Sequence, residues 1–270
     1  MQTDMMLHQD TIASLCGENV LVFDTLPSTN DRLKEMAKQG AKDGTAVIAD
    51  AQTAGKGRLG RTFHSPKGKG LYLSYLWRPQ KMPAEALLSL TGLCAVAALR
   101  AVEIACGVKT QIKWTNDLVF GTRKVAGILT EMTVRQGTDV ADAVILGVGI
   151  NVSHTPDDFP DEVRDMASSL VLCGAKHLSR DILAAELIRQ LRLAVCALEQ
   201  GKTQEYFTLY RASCLTLGKR VRLVRGEKED FAVAEDIDRQ FGLAVRYDDG
   251  AMEVIRSGEA SVRGLYGYLE

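Results

Sequence analysis

The 270-residue chain is 46% apolar and 25% charged, with a formal net charge of −1; that is the balance of an ordinary globular protein with room for one large domain and a small one. So small a net charge excludes a molecule-wide attraction for nucleic acid or an anionic membrane, and affinity for an anion has to be local. The six cysteines include no C-x-x-C pair and the four histidines are dispersed, which argues against a zinc site and for reduced thiols in a cytoplasm.

The opening MQTDMMLHQD has acids and no basic stretch leading into an apolar one, so it does not read as a signal peptide. No run approaches ~20 consecutive apolar residues, so no membrane span is expected. NVLVFDTLP (19–27) reads as a strand entering a turn, and STNDRLKEMAKQGAKDG as a helix stopped by Gly40 and Gly44. TAVIADAQ is a strand that runs into AGKGRLGRTFHSPKGKG (54–70), and GLYLSYLWR (70–78) is a strand leaving that segment. AEALLSLTGLCAVAALRAVEIACG (84–107) is apolar nearly all round, which predicts a buried helix. Strands follow around a turn at FGTRK, then a buried strand at ADAVILGVGINV (141–152). SRDILAAELIRQLRLAVCALEQG (179–201) has helical spacing, a Ser at its start and a Gly past its end. After about Leu217 the chain breaks into short β-type runs, a small barrel or sandwich.

Chemistry concentrates in the glycine-rich segment. Asp and Glu are absent between Ala51 and Ala84, whereas Lys56, Arg58, Arg61, Lys67, Lys69, Arg78 and Lys81 are present. Glycine backbone with Lys and Arg suits a phosphate-bearing ligand, whose oxygens take several charge-assisted hydrogen bonds. The Walker A pattern is not matched, and the segment joins strand to strand, unlike a strand-to-helix dinucleotide turn. What remains is a flexible cationic loop able to close over an activated intermediate. Ser28-x-x-Asp31 fits a capping box ahead of LKEMA, and such a helix start can also offer donors to a polar ligand. In KWTND (113–117), Trp114 suits a core anchor better than a stacking platform, and Asn116 with Asp117 fits an Asx turn. Asn151 ends a buried strand, as a turn residue or a nucleoside partner.

Taken in order, STN, AQTAGKGRLGR, KGLYLSYLWRP, KWTNDL, RKVAGIL and GVGINV resemble the biotin protein ligases over Leu21 to Val152. LGKRVRLV and SGEASVRG resemble that family's SH3-like C-terminal domain. The resemblance implies an α/β (α+β) fold: a mixed sheet with flanking helices, like the class II aminoacyl-tRNA synthetases, over 19–215. A short extension (1–18) would precede it and an SH3-like β-barrel (216–270) would follow.

The implied reaction makes biotinyl-5′-AMP from biotin and ATP with Mg²⁺, then moves biotin to a lysine of a carrier domain. That domain would belong to acetyl-CoA carboxylase or a related carboxylase. By the same resemblance Ser28, Thr29, Asn30 and Gln52 line the biotin pocket, and Lys56, Gly57 and Arg58 fold over biotin and adenylate. Arg58 and Lys124 carry the chemistry, Lys124 reaching the biotin carboxylate and α-phosphate. Asp117 orients or deprotonates the acceptor lysine, whose free pKa is about 10.4. Arg61, Phe63, Lys113, Asn116 and Asn151 fall on the ATP side, and no metal is expected on protein ligands alone. Lys56 stands where the family often has Arg, and Phe63 where it often has Trp. A homodimer through sheet edges is a further implication. About twenty residues precede the pattern, too few for a helix-turn-helix domain, so DNA binding is not expected. A lipoate ligase is the enzyme alternative, disfavoured by GKGRLGR with KWTND.

Overall fold

The computed structural model describes residues 6–80, 82, 84–135, 137–138, 140–176, 178–256 and 261–264. Its central sheet contains β1 (Val20–Leu26), β2 (Ala46–Gln52), β3 (Gly70–Trp77), β4 (Gln111–Lys113), β5 (Asp117–Phe120), β6 (Arg123–Val134) and β7 (Ala141–Asn151). Their spatial order is β1-β2-β3-β7-β6-β5-β4. Strands β1 and β2 are parallel and every other neighbouring pair is antiparallel. A parallel pair needs a crossover, and helix α2 supplies it.

The helices are α1 (Gln9–Cys16), α2 (Thr29–Lys38), α3 (Leu90–Cys106), α4 (Asp161–Arg164), α5 (Arg180–Glu199) and α6 (Gln204–Ser213). The alternation of the strands divides their side chains between two cores. Ile48, Tyr75 and Trp77 join the large core under α3 and α5, while Val47 and Leu76 join a small one with Leu33 and Ala37 of α2. Helix α3 buries most of its length in that large core. By composition Leu87–Cys106 is long and apolar enough to cross a bilayer, but 78% of it is buried inside the fold, as expected of a core helix.

Residues 1–18 are expected as a simple extension, and the described part of them is integral to the core. Helix α1 buries Ile12 and Cys16 against the large cluster. His8 also donates its backbone N–H to Asp181 at the start of α5 (2.9 Å).

Strands β8 (Arg220–Arg225), β9 (Lys228–Ile237), β10 (Leu243–Tyr247), β11 (Met252–Ile255) and β12 (Ser261–Gly264) form a separate antiparallel sheet ordered β11-β10-β9-β8-β12. It docks through Phe241, whose backbone adopts φ +62°. The ring lies edge-on to Tyr210 at 5.0 Å and covers Gly92 of α3, where any Cβ would fall 2.3 Å from it. The Trp114 indole donates to the Phe241 carbonyl (2.8 Å). Trp114 is thus a buried anchor between the two sheets.

Candidate functional site

The start of α2 forms one end of a cavity on the face opposite α3. Ser28 is extended and its hydroxyl accepts from Asp31 N (3.4 Å), so it caps the helix. The next residue, Thr29, donates its backbone N–H and its hydroxyl to Gln52 Oε1 (2.9 and 3.2 Å) at the end of β2. Gln52 in turn donates to Ser65 Oγ (3.0 Å). Asn30 is buried and meets Ser74 of β3 and Glu131 of β6. The charged side chains described at this end, Asp31, Lys34 and Glu131, are engaged in ion pairs with one another and with Lys56.

Missing side chains make the floor. Gly147 and Gly149 alternate on one face of β7, and Gly127 of β6 lies opposite Gly149. A Cβ at Gly147 would fall 2.2 Å from Asn30 Oδ1, and one at Gly149 would fall 2.7 Å from the Phe63 ring. At Gly127 it would meet Lys124 Nζ at 2.9 Å. Phe63 therefore lies in the trough, edge-on to Tyr72 (6.3 Å) with Lys124 Nζ 5.8 Å from its centre.

The cationic loop roofs the cavity. It doubles back through Phe63 N to Gly55 O (2.9 Å) and Gly57 N to Arg61 O (2.7 Å). Gly55 is obligatory because a Cβ there would sit 2.3 Å from the Phe63 carbonyl oxygen. Arg58 dips inward and donates to Asn116 Oδ1 (2.9 Å), whose own amide donates to Ile128 O (2.9 Å). Burial lowers the Arg58 pKa, with the nearby Asp117 carboxylate opposing. Lys56 points outward to Asp31 (2.6 Å), and that hydrogen bond raises its pKa. Arg61 is exposed and lines an adjoining opening with Glu131.

On the far wall Lys124 pairs with Asp117 (2.7 Å). Its backbone is braced by Met166 O and Ser168 N (2.7 and 2.8 Å). The cavity thus gathers Ser28, Thr29, Asn30, Gln52, Lys56, Gly57, Arg58, Phe63, Asn116 and Lys124, with Asp117 just behind Lys124.

Two residues expected on the ATP side, Asn151 and Lys113, do not line this cavity. Asn151 turns its amide to the Ser168 carbonyl (3.0 Å), so it braces the segment behind Lys124. Lys113 is buried opposite Asp117 in the β4–β5 pair and does not line the cavity. Sequence reasoning also passed over Ser74, Glu131 and the three glycines. A serine in an apolar strand was the available signal, because a buried hydroxyl needs a partner. Among the described residues no group of three or more His, Cys, Asp or Glu could hold a metal ion.

Residues 22–151 match the biotin/lipoate A/B protein ligase family, and residues 216–263 match the biotin protein ligase C terminal domain. The chain is 42% identical to the bifunctional ligase/repressor BirA of Bacillus subtilis, over 88% of this chain and 72% of that protein. It is 34% identical to the biotin–[acetyl-CoA-carboxylase] ligase of Mycobacterium tuberculosis, over 85% and 83% of the two chains. The solved structure of biotin protein ligase from Aquifex aeolicus in complex with biotin and ATP superposes with a TM-score of 0.77 at 29% identity. That match covers 91% of this chain and 98% of the other.

Proposed function

This chain belongs to the biotin/lipoate A/B protein ligase family, and from that premise we propose that it is an ATP-dependent biotin–protein ligase. It joins the biotin carboxylate to the α-phosphate of ATP, releases pyrophosphate, and passes the biotinyl group from the adenylate to a lysine of a carrier protein. The observation that carries this reading is the asymmetry of the cavity. Arg58 and Lys124 enter it on one side, while the start of α2 and Gln52 offer neutral hydrogen-bonding groups on the other. Biotin has that polarity, a neutral ureido ring at one end and a carboxylate at the other. A lipoyl dithiolane would leave the polar end unmatched, and buried polar groups left without partners disfavour a ligand.

A carboxylate approaching a phosphate brings two anions together, so fixed cations lower the barrier most in a site closed to water. Arg58 fills that role from the roof and Lys124 from the wall. The fold around Lys124 holds it in place: its backbone is bonded on both sides and Asp117 accepts from its ammonium group. Phe63 offers a face for the adenine, and Arg61 sits where the phosphates leave. Mg²⁺ suits this site as a passenger of the triphosphate, since it keeps waters and needs only one or two carboxylates; bound there, it would neutralise charge on the leaving pyrophosphate. In the second step the acceptor lysine must lose a proton, and Asp117 is the carboxylate placed to orient or accept it. We assign the acceptor to the carrier domain of a biotin-dependent carboxylase, the setting to the cytoplasm, and pairing of copies to the sheet edges.

Pyrophosphate release by the purified chain with ATP and Mg²⁺ tests the reading. Biotin should stimulate it and lipoate should not, and mass spectrometry should find biotinyl-5′-AMP retained on the protein. Equal stimulation by lipoate, or none by biotin, would overturn it.

A further inference from the structure

We infer that Glu131 is a positioning residue for biotin recognition, acting through Asn30 to set the direction of a buried hydrogen-bond chain. The inference rests on reading the cavity as the biotin site. A carboxamide has nearly the same shape either way round, so its neighbours decide which end is oxygen. On one side of Asn30, Nδ2 donates to Glu131 Oε2 (2.7 Å) and to Leu129 O (3.3 Å). Both are acceptors only, because an ionised carboxylate has no proton to give. The reversed amide would aim its oxygen at two other oxygens.

The consequence travels along the chain. With Nδ2 committed to Glu131, Asn30 Oδ1 faces Ser74 Oγ at 2.5 Å, packed against the bare backbone of Gly147. Ser74 is fully buried and has one proton, which Asn30 Oδ1 takes. Ser74 is then an acceptor toward Thr29 Oγ, 2.8 Å away. The Thr29 hydroxyl must donate, either to Ser74 or to Gln52 Oε1. Its remaining lone pairs, and the second lone pair of Asn30 Oδ1, are left to accept. The lining therefore offers acceptors to a ligand with N–H donors, which a cyclic urea has. Lys34 Nζ holds the other carboxylate oxygen of Glu131 (2.5 Å), leaving Oε2 to Asn30.

A purely structural role for Glu131, tying α2 to β6 through Lys34, makes a different prediction, and two variants separate them. Glu131→Gln keeps the shape but supplies a donor, so the Asn30 amide can reverse. Lys34→Met removes the ion pair and keeps the acceptor. Titration calorimetry with biotin alone, on the full chain, should show Glu131→Gln weakened about tenfold, the scale of one lost partner to a buried polar group. The KM for biotin should rise in parallel, with kcat and the KM for ATP within about twofold. Lys34→Met should bind biotin within about twofold of the parent. Unchanged biotin affinity in Glu131→Gln, or equal weakening in both variants, would overturn the inference. If Glu131→Gln does not fold, Ser74→Ala carries the test: it removes the donor to Asn30 and should weaken biotin similarly, and parental affinity there overturns the inference. Failure of the parent protein to bind biotin is a separate result, which removes the functional reading itself.

Discussion

We place the chemistry on Lys124 and Asp117 as a proposal, and the half-buried ion pair they form makes their removal informative. Asp117 keeps only 14% of its side chain exposed beside Lys124, and taking the cation out of so enclosed an ion pair costs up to about 3 kcal/mol. Lys124→Met should therefore lose about 100-fold or more in pyrophosphate release and also melt early. Lys124→Met/Asp117→Asn should recover most of the melting temperature and none of the activity, which calorimetry and a pyrophosphate assay would separate. His154 gives a second prediction at this scale. It is 1% exposed and stacked on Phe159 at 4.9 Å, and burial lowers its pKa to about 4. Asp158 opposes that shift, while His64 and Lys69 reinforce it. In the unfolded chain the value is about 6.5. Between these values the unfolded state takes up a proton that the folded state refuses, so stability falls as pH drops through the window. The slope approaches about 1.4 kcal/mol per pH unit, and His154→Phe should lose less melting temperature between pH 7 and pH 4.5. Single residues were unevenly legible from sequence. Lys124 stood out only through the resemblance carried by RKVAGIL, and Trp114 as a core anchor through its bulk, whereas the direction in which the Asn151 amide points depends on Ser168, outside any local pattern.

Strands β1 to β3 and β7 and helices α2, α3 and α5 were legible because period and breakers agree in each. Helices α1 and α6 were not. The first buries only Ile12 and Cys16, too few for a periodic signal. The second carries Tyr206, Phe207 and Tyr210, residue types that favour strands on propensity alone. The glycines of β7 were legible as a strand and silent as a floor, since their role appears only when Phe63 and Asn30 are laid across them. Substitution there should sort by ligand. Gly149→Ala forces the Phe63 ring to move, at about 1–3 kcal/mol for overpacking, and should raise the KM for ATP well above any change for biotin. Steady-state kinetics against each substrate checks this; a larger effect on biotin would remove Phe63 from the nucleotide end. The strands of the C-terminal module neutralise their charge in place: Arg220, Arg222, Arg225 and Arg246 are matched by Asp248, Glu229, Glu253 and Glu235 respectively.

The division into a mixed sheet and a small all-β unit was readable from composition and run length, but their junction was not. It depends on Phe241, Gly92, Trp114 and Tyr210, four positions spread over 150 residues of sequence, and no local pattern links them. A module of roughly fifty residues is marginal alone, so Phe241 should matter more than its single ring suggests. Phe241→Ala is expected to cost about 3–5 kcal/mol and to lower the midpoint of urea unfolding; a change of less than about 1 kcal/mol would mean the two sheets are held by something else. Trp114 links this junction to the cavity. The indole that Phe241 secures stands two residues before Asn116, the side chain that seats Arg58. Trimming the polypeptide after the last helix would therefore not yield a minimal catalyst. It would bare an aromatic seam to water, loosen the turn beneath the guanidinium, and leave the active centre without its footing.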